Sequence, residues 1–337
     1  MASVCVLGAG SIGCYVGGRL AAAGANVTLV GRPRIGEEVA SYGLRISDLH
    51  GAEITVSPDQ LDFRTELGQS AEHQLVLVTV KSAATAEVGP LLARALRPGT
   101  VVISLQNGVG NADVLARSLA EQTVLSGMVP FNVVQGGEGR FHQGSEGTLE
   151  VEEHPALKVW LELFSRAGLD LKRHAQMLPV QWAKLLLNLN NPVNALSDLP
   201  LKCQLAKRDY RRCVGLAQSE ALGLLDLAGI RPAKLTAVPA RWVPRVLNLP
   251  DWLFARVANR MLEIDPLARS SMWEDLVAGR VTEVDWINGE IVRLAERLGR
   301  QAPVNAKLMA LIREAEAGGA RDWSGSALLA ALKEVAE

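Results

Sequence analysis

The sequence has little cysteine and no surplus of charge of either sign. Its 337 residues include four cysteines, none in the CxxC spacing of zinc or redox sites and none beside a histidine arranged for metal binding. Lysine and arginine total 35 against 36 acidic residues, and no basic run attracts a polyanion locally. These absences argue against the usual metal and redox sites and against nucleic-acid partners.

Long apolar runs are also missing. No stretch approaches the roughly 18 apolar residues that a membrane span requires, and the N-terminus opens into an apolar strand without the basic segment of an export signal. With 48% hydrophobic and 21% charged residues, the composition is typical of a folded, soluble chain. We therefore expect a reduced, cytoplasmic protein with no membrane partner, and the formation of a homodimer is left open.

The hydrophobic pattern divides the chain into two halves, as its length suggests. Up to about His174, apolar strands such as VCVLG, NVTLVGR, LVLVTVK and TVVISLQNG alternate with helical stretches, which predicts an α/β fold with a doubly wound parallel sheet. We expect RISDLHGAEITV and the glycine-rich stretch after Phe131 to form antiparallel additions to that sheet. Beyond about Gln176 the apolar spacing is helical. The predicted domains are residues 1–175 and an all-helical domain at 176–337.

A glycine-rich turn follows the first predicted strand. It has the form GxGxxG, lies between strand VCVL and a helix, and is soon followed by a second strand. In that context the glycines allow a tight turn, close approach of a pyrophosphate and close packing of helix on strand. The alternative is that they only shape a turn. The predicted dinucleotide-binding loop consists of Gly8, Ala9, Gly10, Ser11, Ile12 and Gly13.

The second strand ends in Val30-Gly31-Arg32-Pro33-Arg34. An NAD enzyme commonly carries an acidic residue here to hold the ribose, and an acid would repel the 2′-phosphate of NADPH. Arg32 can instead bind that phosphate through charge-assisted hydrogen bonds. The sequence therefore favours NADPH as the cofactor, the alternative being that Arg32 and Arg34 are solvated loop residues.

Polar side chains end two other buried strands and mark one helix. Lys81 follows LVLVTV and Asn107 follows VVISLQ, so both should lie at the carboxyl ends of the sheet, where α/β proteins bind ligands. Alternatively, Lys81 starts a helix in solvent and Asn107 forms an Asn-Gly turn. Lys184 and Asn188 lie four positions apart, hence on one helix face. Alternatively, neither residue has a functional role: Lys184 snorkels to place its ammonium in water, and the asparagine caps or satisfies a helix kink near Pro192.

Another polar group lies near the end of the chain. Ser271, Asp275 and Glu283 surround a break at Gly279-Arg280, which lets one helix end and another begin near Thr282. Ser271 and Glu283 could each cap one of these helices.

In order along the chain, these motifs resemble those of the ketopantoate reductase family. The shared motifs are GAGSIG, VTVK, LQNGVGN, WAKLLLN and the segment from SSMWED to TEVDWING. The resemblance implies a Rossmann-type NADPH domain, a helical domain, and reduction of the small 2-oxo acid 2-dehydropantoate to pantoate in pantothenate biosynthesis. It implies Lys184 and Glu283 as catalytic residues, and Lys81 and Asn107 in the cofactor site. The implied substrate-binding residues are Asn107, Asn188, Asn191 and Ser271.

A mechanism follows as a hypothesis. Lys184, as an ammonium whose acidity is raised by burial, hydrogen-bonds the keto oxygen and gives up a proton as the alkoxide forms. Asn107 orients the lysine or the carbonyl, and Ser271 with Asn188 receives the substrate carboxylate and hydroxyl. We expect Glu283 to face Lys184 in the cleft between the domains and to hold the substrate hydroxyl or the cofactor ribose.

Two departures from the family leave alternatives open. The stretch before Pro192 is one residue shorter than usual, so Asn190, Asn191 or Asn194 could face the substrate. The Pro- and Trp-rich stretch 231–266 is longer than expected, which favours an NADPH-dependent reductase of another branched 2-oxo acid or ester as the main alternative. A non-catalytic NADPH-binding protein is a second alternative, against which the presence of both Lys184 and Glu283 argues.

Overall fold

The computed structural model describes residues 2–68, 73–257 and 268–336. The chain divides into two compact units, Met1–Met177 and Leu178–Glu337, hereafter the first and second units. The strands of the first unit are β1 (Ser3–Leu7), β2 (Asn26–Val30), β3 (Leu44–Ser47), β4 (Glu53–Val56), β5 (Leu61–Arg64), β6 (Leu75–Val78), β7 (Val101–Ser104), β8 (Thr123–Met128), β9 (Val133–Gly137), β10 (Arg140–Gln143), β11 (Leu149–Glu152) and β12 (Leu171–His174). Its helices are α1 (Ser11–Ala22), α2 (Pro33–Tyr42), α3 (Thr85–Ala95), α4 (Asn111–Ala116) and α5 (Leu161–Arg166), with 3-10 turns at Pro58–Gln60, Ser82–Ala84 and Pro155–Leu157.

The main sheet of the first unit is parallel over its central strands. The order β5-β2-β1-β6-β7-β8 is parallel throughout, and β11 joins β8 in the antiparallel sense with β12 parallel beyond it. Alternate residues of β1 enter different cores: Val4 and Val6 pack on one face of the sheet and Cys5 and Leu7 on the other. The parallel strands follow the 3-2-1-4-5-6 order of dinucleotide-binding sheets, which confirms the predicted fold class.

The prediction that both hairpins extend the main sheet is wrong. They form a separate four-stranded sheet of order β4-β3-β10-β9, in which β3 and β10 pair in parallel. Each hairpin thereby covers one strand edge of the other, at β3 and at β10. Their apolar face packs on α1, where the glycine at Gly18 leaves room for Leu44 and Ile46 of β3. Of the strands in these two segments, β11, at the end of the glycine-rich stretch, is the one that joins the main sheet.

The second unit contains helices and no strand in its described residues, as the helical spacing predicted. The helices are α6 (Leu178–Asn188), α7 (Asn191–Ser197), α8 (Leu201–Ala206), α9 (Arg208–Leu227), α10 (Val243–Leu247), α11 (Asp251–Val257), α12 (Ser271–Val277), α13 (Val284–Arg297), α14 (Pro303–Glu316) and α15 (Gly325–Ala336), with a 3-10 turn at Ala240–Trp242. Across both units, none of the helices that the structure describes is long and apolar enough to span a membrane.

Arg211 of α9 holds the described part of the Pro- and Trp-rich stretch in place. This arginine is completely buried, and its Cζ lies 4.1 Å from the ring centroid of Phe254. Its guanidinium donates hydrogen bonds to the carbonyl oxygens of Leu205, Ala206, Leu247 and Leu249 and to the carboxylate of Asp251. Because every donor group is used, the buried charge is well compensated. Residues 258–266 of the stretch lie outside the described residues.

Candidate active site

The turn after β1 has glycine where a side chain would find no room. Gly8 has a φ of +115°, and a Cβ there would lie 2.5 Å from the backbone nitrogen of Val80. A Cβ on Gly13 would collide with the carbonyl oxygen of Gly8. Around Gly10, by contrast, no described atom lies within 4 Å of the Cβ position, and this residue is exposed at the start of α1. The loop is therefore open at the point where a phosphate would approach the helix N-terminus.

Backbone hydrogen bonds fix this loop to two neighbouring strands. The amides of Gly8 and Ala9 donate to the carbonyl oxygen of Val30 at 2.9 and 2.8 Å. The Thr79 hydroxyl, just beyond β6, donates to the Gly8 carbonyl oxygen at 2.8 Å. The loop thus lies over the carboxyl ends of β1, β2 and β6, where the strand order reverses and α/β sheets bind nucleotides.

Arg32 lies beside this loop. It is exposed at the N-cap position of α2, and the preceding Gly31 is so close to Ala9 that a Cβ on Gly31 would lie 2.6 Å from the Ala9 side chain. In the described part of the chain no ion pair occupies the Arg32 guanidinium. A cationic group beside the phosphate loop, with no acid at the end of β2, suits a 2′-phosphate.

Lys81 and Asn107 follow β6 and β7, as predicted, at the same end of the sheet. Lys81 precedes the 3-10 turn Ser82–Ala84, and Asn107 precedes Gly108, whose φ is +89°. These positions agree with the alternatives of a lysine at a helix start and an asparagine in an Asn-Gly turn. Both residues are nevertheless partly buried, so neither is a freely solvated surface residue.

A buried hydrogen-bond network below this edge holds the Asn107 backbone. The Asn107 carbonyl oxygen accepts hydrogen bonds from Ser82 Oγ and Asn111 Nδ2, both at 2.7 Å. Gln106 Nε2 donates to Thr85 Oγ1 at 2.7 Å, and Thr85 Oγ1 lies 3.0 Å from Asn111 Oδ1. Sequence reasoning missed this network. The sequence does carry a signal for it, because polar residues follow each buried strand. The strand order of dinucleotide-binding sheets places the residues after β6 beside those after β7.

Lys184 projects from α6 in the second unit. It is partly buried, and its neighbours in the helix, Ala183 and Leu185, are buried. Desolvation lowers the pKa of Lys184 from 10.5 to about 8. A snorkelling lysine keeps its ammonium in water, so that alternative does not explain the lowered pKa. Lys184 is mainly protonated at neutral pH and is a stronger acid than an ordinary lysine.

The asparagines around the end of α6 have different environments. Asn188 and Asn191 are partly buried, and their side-chain amides make no hydrogen bond to any described residue. Asn190 Oδ1 accepts a hydrogen bond from Gln204 Nε2 at 3.0 Å, and Asn194 is fully buried with its Nδ2 donating to a backbone carbonyl. Of the three candidates left open by the sequence, Asn191 is therefore the one whose side chain makes no hydrogen bond to a described residue.

The interpretation of Ser271 as a helix cap is wrong by one residue. Ser270 is the N-cap: its backbone is extended and its Oγ accepts a hydrogen bond from the Trp273 amide at 3.2 Å. The Ser270 amide in turn donates to Asn194 Oδ1 at 2.9 Å, which joins α12 to α7. Ser271 is the first helical residue and is exposed. Its role in binding the substrate carboxylate stays a prediction.

Glu283 occupies the N-cap position of α13 but its side chain does not cap the helix. The Thr282 hydroxyl instead accepts a hydrogen bond from the Val284 amide at 3.3 Å. Glu283 is partly buried, so a capping role does not account for its carboxylate. That Glu283 faces Lys184 stays a prediction. Within the described ranges, no group of three or more His, Cys, Asp or Glu side chains could hold a metal ion.

Comparison with known proteins identifies the family. Residues 4–156 match the family described as ketopantoate reductase PanE/ApbA, and residues 176–316 match its C-terminal domain. The protein belongs to the ketopantoate reductase family. The reductase is 30% identical over 323 residues to the 2-dehydropantoate 2-reductase of Archaeoglobus fulgidus, an alignment that covers 93% of this chain and 97% of that protein.

Solved structures agree with this assignment. A PanE/ApbA family ketopantoate reductase from Ralstonia eutropha JMP134 has a TM-score of 0.79 and 29% identity, covering 94% of this chain and 99% of the other. D-mandelate dehydrogenase, solved with NADH and anilino(oxo)acetate, shares the fold with a TM-score of 0.77 at 19% identity, again over 94% and 99% of the chains. The reductase is thus an oxidoreductase acting on a keto or CH–OH group, in a family that depends on NAD(P)H.

Proposed function

We propose that this reductase uses NADPH to reduce 2-dehydropantoate to pantoate, a step of pantothenate biosynthesis. The observation that carries the proposal is the desolvated Lys184, which shares α6 with Asn188 four residues later. A protonated amine of lowered pKa beside an available amide suits the reduction of a carbonyl, because negative charge develops on the oxygen as the hydride arrives.

The residues of the first unit fit a phosphorylated dinucleotide. The open backbone at Gly10 accommodates the pyrophosphate. Arg32, which forms no ion pair with any residue that the structure describes, binds the 2′-phosphate that distinguishes NADPH from NADH. Lys81 and Asn107, at the ends of β6 and β7, complete the cofactor-binding set. When bound, the reduced nicotinamide supplies the hydride.

Lys184 is the proton donor in this proposal. Its ammonium donates a hydrogen bond to the keto oxygen and passes a proton to it as the alkoxide forms, so the lysine must be protonated before reaction. With a pKa of about 8, Lys184 is protonated at neutral pH yet gives up its proton more readily than a solvated lysine does.

The remaining polar groups of the second unit bind the rest of the substrate. The amides of Asn188 and Asn191 can each both donate and accept, which suits a hydroxyl and a carboxylate. The exposed Ser271 hydroxyl donates to the carboxylate. Glu283, whose carboxylate the helix does not use as a cap, accepts a hydrogen bond from the substrate hydroxyl and positions Lys184.

The test is the rate of NADPH oxidation with 2-dehydropantoate, measured with a panel of other branched 2-oxo acids and esters. The proposal requires the highest kcat/KM for 2-dehydropantoate. Lys184→Met should lower kcat by orders of magnitude and leave NADPH affinity nearly intact. Lys202→Met, at an exposed lysine of α8, is the matched control and should retain full activity.

One alternative substrate class has a specific basis. The Pro- and Trp-rich stretch is longer than the family resemblance implied, and Arg211 fixes its described part in a defined conformation. A higher kcat/KM for another 2-oxo acid or ester would favour that alternative. NADPH binding without turnover of any panel member would favour the second alternative, a non-catalytic NADPH-binding protein. The cytoplasmic location and a homodimer stay predictions.

A further inference from the structure

The last turn of α14 binds the start of α13 on both sides of Glu283. Before Glu283, the Thr282 amide donates a hydrogen bond to Glu316 Oε1 at 2.7 Å. Two residues after Glu283, the Asp285 carboxylate accepts a hydrogen bond from the Arg313 guanidinium and forms an ion pair with it. Arg313 and Glu316 are three positions apart and hence lie on one face of α14. These two residues are hereafter the α14 clamp.

The carboxylate of Glu316 is better placed for α13 than for its own helix. A negative charge is disfavoured at the carboxyl end of a helix by the helix dipole and favoured at the amino end. Glu316 is the last residue of α14, yet its carboxylate binds the amide directly before α13 begins. Thr282 is only 3% exposed, so loss of Glu316 would leave a buried amide without its charge-assisted partner.

The backbone around Glu283 is therefore held without use of the Glu283 carboxylate. Glu316 binds the Thr282 amide, and the Thr282 hydroxyl accepts a hydrogen bond from the Val284 amide at 3.3 Å. The residues before and after Glu283 are thus both anchored by other side chains, and Glu283 itself does not cap the helix. A side chain on a fixed backbone starts from a fixed direction, so the clamp restricts where the Glu283 carboxylate can lie.

We propose that Arg313 and Glu316 are positioning residues for the reduction, because they hold the start of α13 where the Glu283 carboxylate meets the substrate. This inference rests on the role of Glu283 in the proposed function. The clamp acts through Thr282 and Asp285, and a misplacement of about 1 Å in a catalytic group lowers rates by up to about 100-fold. Both clamp residues are exposed, and exposed charges contribute little to folding stability. Their loss should thus affect catalysis more than folding.

Steady-state kinetics on the intact protein test the clamp, with NADPH and the member of the 2-oxo acid and ester panel that has the highest kcat/KM. In the double variant R313A/E316A we expect kcat/KM to fall about tenfold, a partial misplacement, with NADPH affinity and melting temperature nearly unchanged. Glu316→Ala alone should show part of this loss. Glu316→Gln retains an acceptor oxygen for the Thr282 amide and should stay within about twofold of the unmodified protein.

A double-mutant cycle distinguishes positioning of Glu283 from a general effect on the fold. In the Glu283→Ala background, R313A/E316A should change kcat/KM by less than about twofold, because the group that the clamp positions is already absent. Glu314→Ala is the matched control and should retain full activity. Glu314 lies between the clamp residues on α14, is exposed, and makes no side-chain hydrogen bond or ion pair with a described residue.

The outcomes separate failure of this inference from failure of the proposed function. If Glu283→Ala lowers kcat/KM and R313A/E316A does not, or lowers it equally in both backgrounds, the positioning role is wrong and the proposed role of Glu283 stands. The positioning role is also wrong if Glu316→Gln is as impaired as Glu316→Ala. If Glu283→Ala keeps normal kcat/KM, or no panel member is reduced, the proposed function itself fails and the clamp only joins two helices.

Discussion

Replacement of Lys184 by methionine is expected to stop reduction and, at neutral pH, to stabilise the protein. Methionine has a similar length and no charge, so it fills the space of the lysine stem without burying an ammonium. Most substitutions of partly buried residues destabilise a fold. A residue whose loss increases stability is retained for another reason, and the proposed proton transfer supplies that reason.

The magnitude follows from the pKa of Lys184. Burial lowers it from 10.5 to about 8, and each unit of pKa corresponds to about 1.4 kcal/mol, so the protonated lysine costs the folded state roughly 3 kcal/mol. Below pH 8 the lysine is protonated in both the folded and the unfolded chain, and the full cost is present. Between about pH 8 and 10.5 only the folded chain has lost the proton, so the cost declines as the pH rises.

Urea unfolding of the intact protein measures this effect. Of the seven tryptophans, only Trp160 lies in the first unit, so tryptophan fluorescence reports mainly on the second. We expect Lys184→Met to be more stable than the unmodified protein by roughly 3 kcal/mol near pH 7, and the two stabilities to converge near pH 10.5. The control Lys202→Met should change stability by less than about 0.5 kcal/mol at either pH. A destabilised Lys184→Met, or a difference that does not shrink at high pH, would refute the reasoning.

Three other substitutions test the remaining parts of the site. Arg32→Ala should narrow the preference for NADPH over NADH by roughly 1 to 3 kcal/mol in binding titrations, whereas equal affinities in the unmodified protein would exclude the 2′-phosphate assignment. Gly13→Ala should weaken binding of both cofactors, because its Cβ collides with the Gly8 carbonyl oxygen and displaces the phosphate loop; unchanged affinity would contradict this. Glu283→Gln should lower kcat/KM with little change in melting temperature, since the side chain does not cap α13. A large loss of stability with normal kinetics would instead assign Glu283 a structural role.

The parts of the fold that the sequence predicted are those determined by local spacing. Strands such as β1 and β6 are apolar on both faces and bounded by turns, which is sufficient to assign them to a covered parallel sheet. The shared helix of Lys184 and Asn188 is likewise a local feature, since a four-residue spacing fixes their relative direction once the helix exists.

The features that the sequence did not predict depend on distant pairing or on a single residue. The separate sheet requires β3 to pair with β10, nearly a hundred residues later, and either hairpin alone is equally compatible with the edge of the main sheet. The choice between Ser270 and Ser271 as cap depends on one helix boundary. The network around Asn107 joins residues after two different strands, Ser82 and Asn111, so no local pattern identifies it.

The apolar character of the α6 motif WAKLLLN has a chemical consequence for its lysine. Trp182, Leu185 and Leu186 are each at most 3% exposed, and burial of a large apolar side chain stabilises a fold by about 1.5 to 3 kcal/mol. Two such side chains offset the roughly 3 kcal/mol that the desolvated Lys184 costs. Burial of Lys184 itself keeps water away from its ammonium and so lowers its pKa. A more solvated Lys184 would have an ordinary lysine pKa and would be a weaker acid in the proposed proton transfer, so its burial serves the proposed reaction at a cost that the apolar residues of the helix offset.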